Sequence, residues 1–312
     1  MPCYSPIIAY RSREVNKSGK RSLVFSLRTA DPDIPPETIP CGQCLGCRLE
    51  RSRQWAIRCV HEASLYDSNC FITLTMSDDW LDKPISRGLR LEDCWRNANG
   101  SLIKRDFVLF MKRLRKRFGA GIRFFHCGEY GELTGRPHHH VCLFNFDFPD
   151  KCLYSIRDGV RLYRSPILED LWPFGFCTIG DVTFESAAYV ARYVMKKVTG
   201  SSGVEHYGER LPEYITMSRR PGIGRDWYRD FASDVYPHDR MVIRGGVVCR
   251  PPKYYDSLFA LDNVDVMSIL KEERMKRGKA LRGDMHPCDV VQRLRVKGKV
   301  KLAQLSQLKR GL

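Results

Sequence analysis

No run of the roughly 18 apolar residues that a membrane-spanning helix requires occurs in this chain. The opening segment MPCYSPIIAYRSR also lacks the apolar core of a secretory signal. Both absences point to a protein of the cytoplasm with no membrane partner. There is no internal repeat and no low-complexity tract, so solenoid arrays and biased linkers are set aside. Cysteine is too sparse for a disulfide scaffold, 13 in 312 residues, and only one group of them is regularly spaced. A reducing compartment with most thiols buried follows. Acidic residues fall short of basic ones: 36 Asp plus Glu against 52 Lys plus Arg leave a net charge of +16. Such a surface repels itself unless it meets a polyanion, which favours nucleic acid as partner over a device for solubility alone.

With 43% hydrophobic and 28% charged side chains, 312 residues suffice for one large or two ordinary domains around a buried core. Residues 1 to 46 are rich in Pro, Gly and Cys and read as loops around small strands. From Leu45 to Tyr66, apolar Trp55, Ile57, Val60 and Ala63 alternate with Arg48, Arg51, Arg53 and Arg58, the pattern of a helix with a basic outer face. Cys70 to Thr75 is β-branched and aromatic and reads as a buried strand. Lys104 to Phe118 has helical spacing of Phe107, Phe110, Met111, Leu114 and Phe118. Gly121 to Tyr130 and Pro137 to Phe146 flank the connection GELTGR and read as a hairpin. Gly175 to Val182 reads as a strand leading into a helix over Phe184 to Val198, and the segment from Met267 onward reads as basic and helical. This order predicts an α+β fold with a central antiparallel sheet and flanking helices, a small Cys-rich N-terminal element and a basic helical C-terminal tail. The expected divisions are 1–66, 67–235 and 236–312.

The sharpest chemistry lies in RPHHHVCLF, residues 136 to 144. Side chains alternate along a strand, so His138 and His140 share one face while His139 points to the other. Two imidazoles so placed form half of a divalent metal site, whereas three histidines on an exposed edge strand would be plain surface. The Val, Leu and Phe that follow imply burial, which favours metal. The third ligand is expected from the facing strand. A four-residue connection puts Glu129 opposite His140, and a five-residue one puts Glu132 opposite His138; Glu129 is preferred.

On the helix that follows the next strand, Tyr189, Tyr193, Lys196 and Lys197 fall on one stripe, with Glu185 and Arg192 beside it. A phenol titrates near 10, so only about one in a thousand is ionised at neutral pH, and neighbouring lysines and a metal would favour the phenolate. That prepares a nucleophile, although the same spacing also serves core packing.

Cys41, Cys44 and Cys47 stand three residues apart. Thiolates at this spacing can share one structural Zn2+, with Cys3 as the natural fourth ligand; free thiols are the other reading. The turn RRPGIG, residues 219 to 224, offers Arg219, Arg220 and close backbone approach through its glycines to a phosphate chain, or is an ordinary surface turn. Phe124, Phe125 and Tyr130 read as core residues or as bases' stacking partners.

The His-x-His strand and the Tyr-x3-Tyr-x2-Lys-Lys helix resemble the HUH endonucleases that start rolling-circle replication, with Cys70 to Thr75 in the place of their first motif. The match is imperfect at His139, where the family usually has a hydrophobic residue. CGQCLGCR from Cys41, GEYG, RPHHH and YVARY resemble more closely the replication initiators of gokushovirus-like microviruses, in order over roughly residues 1 to 230. That resemblance implies a metal-dependent nuclease using Mg2+ or Mn2+ on His138, His140 and Glu129. It would cut viral origin DNA, link Tyr189 or Tyr193 to the 5′ phosphate, leave a 3′-OH, and rejoin the displaced strand. Lys196 and Lys197 would steady charge, and host helicase and polymerase would follow in the bacterial cell. A non-catalytic zinc-containing nucleic-acid-binding protein and a plasmid mobilisation relaxase are the competing readings. The first leaves the histidines and paired tyrosines unexplained.

Overall fold

The computed structural model describes residues 3–17, 19–81, 100–131, 134–157, 159–196, 198, 201–280, 283 and 286–307. Two compact units are present, one of residues up to Glu50 with those from Met275 onward, the other of Arg51–Arg274.

The first unit opens with a three-stranded antiparallel sheet of β1 (Ile7–Val15), β2 (Arg21–Val24) and β3 (Glu37–Ile39), in the order β2-β1-β3. Arg11 crosses from β1 to the Glu37 carboxylate on β3, its Nε and a terminal amino group donating at 2.7 and 3.0 Å. The helix α1 (Leu45–Ala63) begins here and continues into the second unit.

The second unit is built on a seven-stranded sheet. In chain order its elements are β4 (Asn69–Thr75), α2 (Asp78–Leu81), α3 (Lys104–Phe118), β5 (Arg123–Tyr130), β6 (Pro137–Phe144), β7 (Cys152–Arg157), β8 (Val160–Arg164), α4 (Pro166–Leu171), β9 (Cys177–Gly180), α5 (Phe184–Lys196), α6 (Ser201–Tyr207) and β10 (Tyr214–Met217). The order is β10-β5-β6-β4-β9-β8-β7, antiparallel at every junction. After it come α7 (Arg225–Val235), the small hairpin β11 (Met241–Ile243) and β12 (Val247–Cys249), α8 (Lys253–Asp262) and α9 (Val264–Ala280). The last helix, α10 (Pro287–Ser306), returns to the first unit. The α+β class with a central antiparallel sheet is as the sequence predicts.

Strand alternation sorts the core into two layers. Cys70, Ile72, Leu74, Val141 and Leu143 face α3, where Phe107, Phe110, Met111 and Leu114 form the buried stripe that its spacing predicts. Phe71, Phe125, Cys127, Cys142 and Phe144 face Ala56 and Cys59 of α1 and Ala187, Val190 and Ala191 of α5. Small residues on α5 let its axis lie close to the sheet, and each fully buried Phe or Leu beneath it contributes roughly 1.5–3 kcal/mol. The Ser52 hydroxyl of α1 donates to the Ala188 carbonyl at 3.0 Å, joining the two covering helices.

Two base-stacking candidates are core or bonded instead. Phe125 is fully buried and stacks on Trp55 at 4.7 Å, and the Tyr130 hydroxyl donates to the Leu211 carbonyl at 2.7 Å. Phe124 packs against the α3 layer. The β7–β8 hairpin, α7 and α8 are additions to what the sequence predicts, although Trp227, Tyr228, Phe231 and Val235 of α7 do stand at helical spacing.

Candidate active site

Alternation along β6 sends His138 and His140 to the face of α1 and α5, and His139 to the face of α3. Register then stacks two rows across the sheet: Thr73, His140 and Cys127 in one, Thr75, His138 and Glu129 in the next. Glu129 therefore stands opposite His138, not opposite His140 as a four-residue connection requires. The strands part only after Tyr130 and Pro137, leaving a six-residue connection over 131–136. A slip of two residues equals the side-chain period, so the carboxylate keeps its face and reaches His140 diagonally. Its Oε1 accepts from His140 Nε2 at 2.7 Å, with Glu129 and His140 only 3% and 6% exposed. Glu132 lies outside the described residues.

His140 is held on its remaining sides. The Thr73 hydroxyl meets Nδ1 at 3.0 Å, the Phe71 ring stacks at 5.8 Å, and the Tyr189 ring stands perpendicular with centroids 5.1 Å apart. Thr73 thereby turns Nε2 toward Glu129, the outer contact that orients a ligating imidazole. The His138 ring lies 6.3 Å from that of His140. Two imidazoles and one carboxylate on a shielded face suit a divalent cation of intermediate hardness.

The glycines of the GEYG motif are demanded by this packing. A Cβ on Gly131 would come within 2.9 Å of His138 Nε2, and one on Gly128 within 2.9 Å of the Tyr214 ring and 3.1 Å of Leu102.

On the opposite face, His139 Nδ1 meets His126 Nε2 at 3.0 Å, and His126 Nδ1 meets the Thr216 hydroxyl at 2.8 Å. This chain ties β6 to β5 and β10. Burial, reinforced by the neighbouring His139, pushes His126 well below the usual histidine range, and the Phe107 ring covers it at 3.6 Å. His126 escaped the sequence reading because a lone histidine in an apolar strand carries no pattern.

Helix α5 brings Tyr189 to the site. Thr183 and Ser186 cap it reciprocally, each backbone N–H donating to the other's hydroxyl at 2.8 and 3.1 Å. Tyr193 follows one turn further along the helix. Of Arg192, Tyr193 and Lys196 only the helical backbone is described, and Lys197 lies outside the described residues.

In the first unit the Sγ atoms of Cys3, Cys41, Cys44 and Cys47 all lie within 4.8 Å of one another, a set that could hold a metal ion. Four thiolates at about 2.3 Å from one tetrahedral ion stand roughly 3.8 Å apart. Cys3 lies 3.6 Å from Cys41 and 3.8 Å from Cys44. Backbone N–H groups of Tyr4, Cys41 and Cys44 donate to the sulfurs of Cys44, Cys3 and Cys41 at 3.2, 3.3 and 3.3 Å, as suits thiolate ligands. Burial works to raise Cys44, but backbone N–H donors and adjoining thiols override it and hold Cys44 below the usual thiol range; burial raises Cys3 and Cys47.

Arg219 and Arg220 are exposed in the turn after β10. The glycines beside them are not open to a phosphate: a Cβ on Gly222 or Gly224 would strike the hydroxyls of Tyr254 and Tyr255, and Gly224 N–H donates to the buried Glu62 carboxylate at 2.6 Å.

Fold and site together define an α+β protein whose antiparallel sheet carries His138, His140 and Glu129 on the face covered by a tyrosine-bearing helix. A profile of the family described as replication-associated protein ORF2/G2P matches residues 69–198, the span from β4 through α5. Replication-associated protein VP4 of Bdellovibrio phage phiMH2K is 32% identical over 268 residues, covering 83% of this chain and 77% of that protein. Replication-associated protein ORF2 of Spiroplasma virus 4 is 33% identical over 260 residues, 79% and 76% of the two chains. Replication-associated protein ORF4 of Chlamydia phage 1 is 28% identical, covering 73% of this chain and 55% of that one. The chain belongs to this family of phage replication-associated proteins. No solved structure matches it significantly. Among the described residues no helix is long and apolar enough to cross a membrane.

Proposed function

We propose that this protein starts phage DNA replication in the bacterial cytoplasm by nicking one strand of the replicative-form origin and holding the cut end as a phosphotyrosine. The observation that carries the reading is that His138, His140 and Glu129 stand on one face of the sheet, Glu129 on His140 at 2.7 Å, with the Tyr189 ring centroid 5.1 Å from that of His140. Those three side chains would hold Mg2+ or Mn2+, and the ion when bound would supply positive charge against the scissile phosphate. Glu129 and Thr73 fix the imidazole orientation before DNA arrives. Tyr189 or Tyr193 attacks phosphorus through its phenolic oxygen; the Oη–P bond forms, the P–O3′ bond breaks, and the 3′ oxygen leaves as a hydroxyl.

The phosphotyrosine ester keeps the energy of the cut bond, so rejoining needs no ATP. The free 3′-OH primes the host polymerase, with a host helicase opening the duplex. Lys196 and Lys197 steady phosphate and phenolate charge, and a second tyrosine cuts the regenerated origin while the first still holds the old end. Arg192, Arg219 and Arg220 contact the origin backbone. Cys3, Cys41, Cys44 and Cys47 hold one structural Zn2+.

The test is a denaturing gel of labelled origin DNA incubated with the protein. Label retained on the protein with Mg2+ or Mn2+ and lost with EDTA is expected. An adduct formed equally by His138→Ala or His140→Ala overturns the site.

A further inference from the structure

The face that carries His138 continues across β4 to an exposed aromatic pair. Cys177 and Ile179 of β9 are buried in the α3 layer, so Phe176, one residue before the strand, points to the other face. Thr75 N–H donates to the Phe176 carbonyl at 2.9 Å, and Thr75 pairs on its far side with His138. Glu129, His138, Thr75 and Phe176 thus form one row. Neighbouring strands lie about 4.8 Å apart, which sets Phe176 about 10 Å across the sheet from His138.

Beyond it, Tyr163 of β8 packs in the α3 layer, so Arg164 shares the face of Phe176. Tyr154 sits where the β7–β8 register shifts between Leu153 and Ser155, and its ring meets that of Phe176 edge-on at 5.9 Å. The Arg164 guanidinium lies 4.9 Å from the Phe176 ring and 5.6 Å from that of Tyr154, and Glu169 fixes it by accepting from Nε at 2.7 Å. Phe176 and Tyr154 nevertheless remain 43% and 49% exposed. Two rings half in water, with a cation held beside them, on the row of a phosphate-cutting centre and in a chain of net charge +16, match what a single nucleic-acid strand needs: π-faces for bases and positive charge for the backbone.

We propose that Phe176 and Tyr154, with Arg164, form a base-stacking platform for the single-stranded DNA that flanks the scissile phosphate. The assignment rests on the nuclease reading above and gives the DNA a direction, from the His138 site across β4 toward β7. At the roughly 3.4 Å rise of a stacked strand, the platform receives bases about three nucleotides from the cut.

The test uses the full chain in EDTA, so that nothing is cut, with an oligothymidylate of about 15 nucleotides carrying one 2-aminopurine as probe. Wild-type protein should quench the 2-aminopurine by stacking. The double variant Phe176→Ala, Tyr154→Ala should abolish quenching and weaken binding roughly 10-fold or more. Its salt dependence should be unchanged, because rings neutralise no phosphates. Phe176→Tyr and Tyr154→Phe, which keep the rings, should bind as wild type, and Mn2+ binding by the double variant should match wild type, showing an intact fold and metal site. Wild-type affinity and quenching in the double variant overturn the platform. So does a change confined to sedimentation, which marks the patch as a contact between copies of this chain. Quenching that depends on both rings in a protein that forms no covalent adduct with metal supports the platform and overturns the nuclease reading instead.

Discussion

Glu129 faces His138 directly across the β5–β6 ladder, yet its Oε1 accepts from His140 Nε2, two residues further along β6, at 2.7 Å. The buried carboxylate thereby engages His140 while standing on the face of His138, and its charge rather than its shape is what a cation would use. Glu129→Gln keeps the size and removes the charge. Its Mn2+ affinity, read by EPR titration, should fall by more than the roughly 10–100-fold typical of losing an outer-shell partner. Thr73→Val, which removes only the contact to His140 Nδ1, should fall within that range. Wild-type Mn2+ binding by Glu129→Gln would place the centre elsewhere.

Gly131 and Gly128 stand three residues apart in one motif but protect different things. A Cβ at 131 presses on His138 Nε2, so Gly131→Ala should lose metal-dependent nicking while its melting temperature stays near wild type. A Cβ at 128 presses on Tyr214 and Leu102, and Gly128→Ala should lose about 1–3 kcal/mol of stability through overpacking. Thermal melts and nicking assays on the two variants separate these roles, and identical losses in both would refute them.

The sequence made the site face legible because period-two alternation is local: HHHVCLF alone decides that His138 and His140 share a side. Register was not legible. It depends on where the GELTGR turn closes, and the Gly131 N–H donating to the Arg136 carbonyl at 2.9 Å closes it between Gly131 and Arg136, where a four-residue connection over 133–136 would close it between 132 and 137. Helix α3 could be read to its ends because its buried stripe is unbroken, whereas the β7–β8 hairpin could not. Leu153, Tyr154 and Ile156 are all more than a third exposed, so no inside–outside alternation marks β7 as a strand. The Cys set was legible in full: the spacing offers three thiols with Cys3 as the expected fourth, and all four Sγ atoms lie within 4.8 Å of one another.

The Cys cluster predicts its own titration. Cys44, held below the usual thiol range by backbone N–H donors and adjoining thiols, forms a thiolate more readily than Cys3 or Cys47, which burial raises. Metal analysis should find about one zinc per chain that survives dialysis, with affinity falling as pH falls because protons compete for sulfur. In chelator-stripped protein at neutral pH, a thiol reagent should label Cys44 before Cys47. Labelling of Cys47 first, or folded protein without zinc when no chelator was used, contradicts the site.

His61 gives a pH dependence of stability. Its ring stacks on Trp227 at 3.5 Å and its Nδ1 meets the Tyr255 hydroxyl at 3.0 Å, and burial pushes it from the ordinary 6.5 down to about 4. The folded protein keeps the ring neutral while the unfolded chain takes up a proton. Stability is therefore full above about pH 6.5, is lost as pH falls toward 4, and levels off below, a change of at most about 3 kcal/mol. His61→Phe keeps the stacking and removes the titration. Urea melts of both proteins between these pH values should converge as pH falls, and parallel curves would show that His61 does not titrate as described.

The tyrosine pair makes the most discriminating prediction. Tyr189 stands against His140, with ring centroids 5.1 Å apart, and Tyr193 follows about one 5.4 Å helical turn later. A small shift of DNA or helix brings either phenol to the same phosphate, so Tyr189→Phe and Tyr193→Phe should each still nick an origin oligonucleotide. Tyr189→Phe should be the slower, because it removes the phenol already beside the centre. The double variant should form no covalent adduct. On the proposed mechanism, release of circular single strands should need both tyrosines, since one would be esterified when the next cut falls due. A single variant that loses all cleavage, while the other completes circularisation at the wild-type rate, would leave one nucleophile and reduce the second tyrosine to a packing residue.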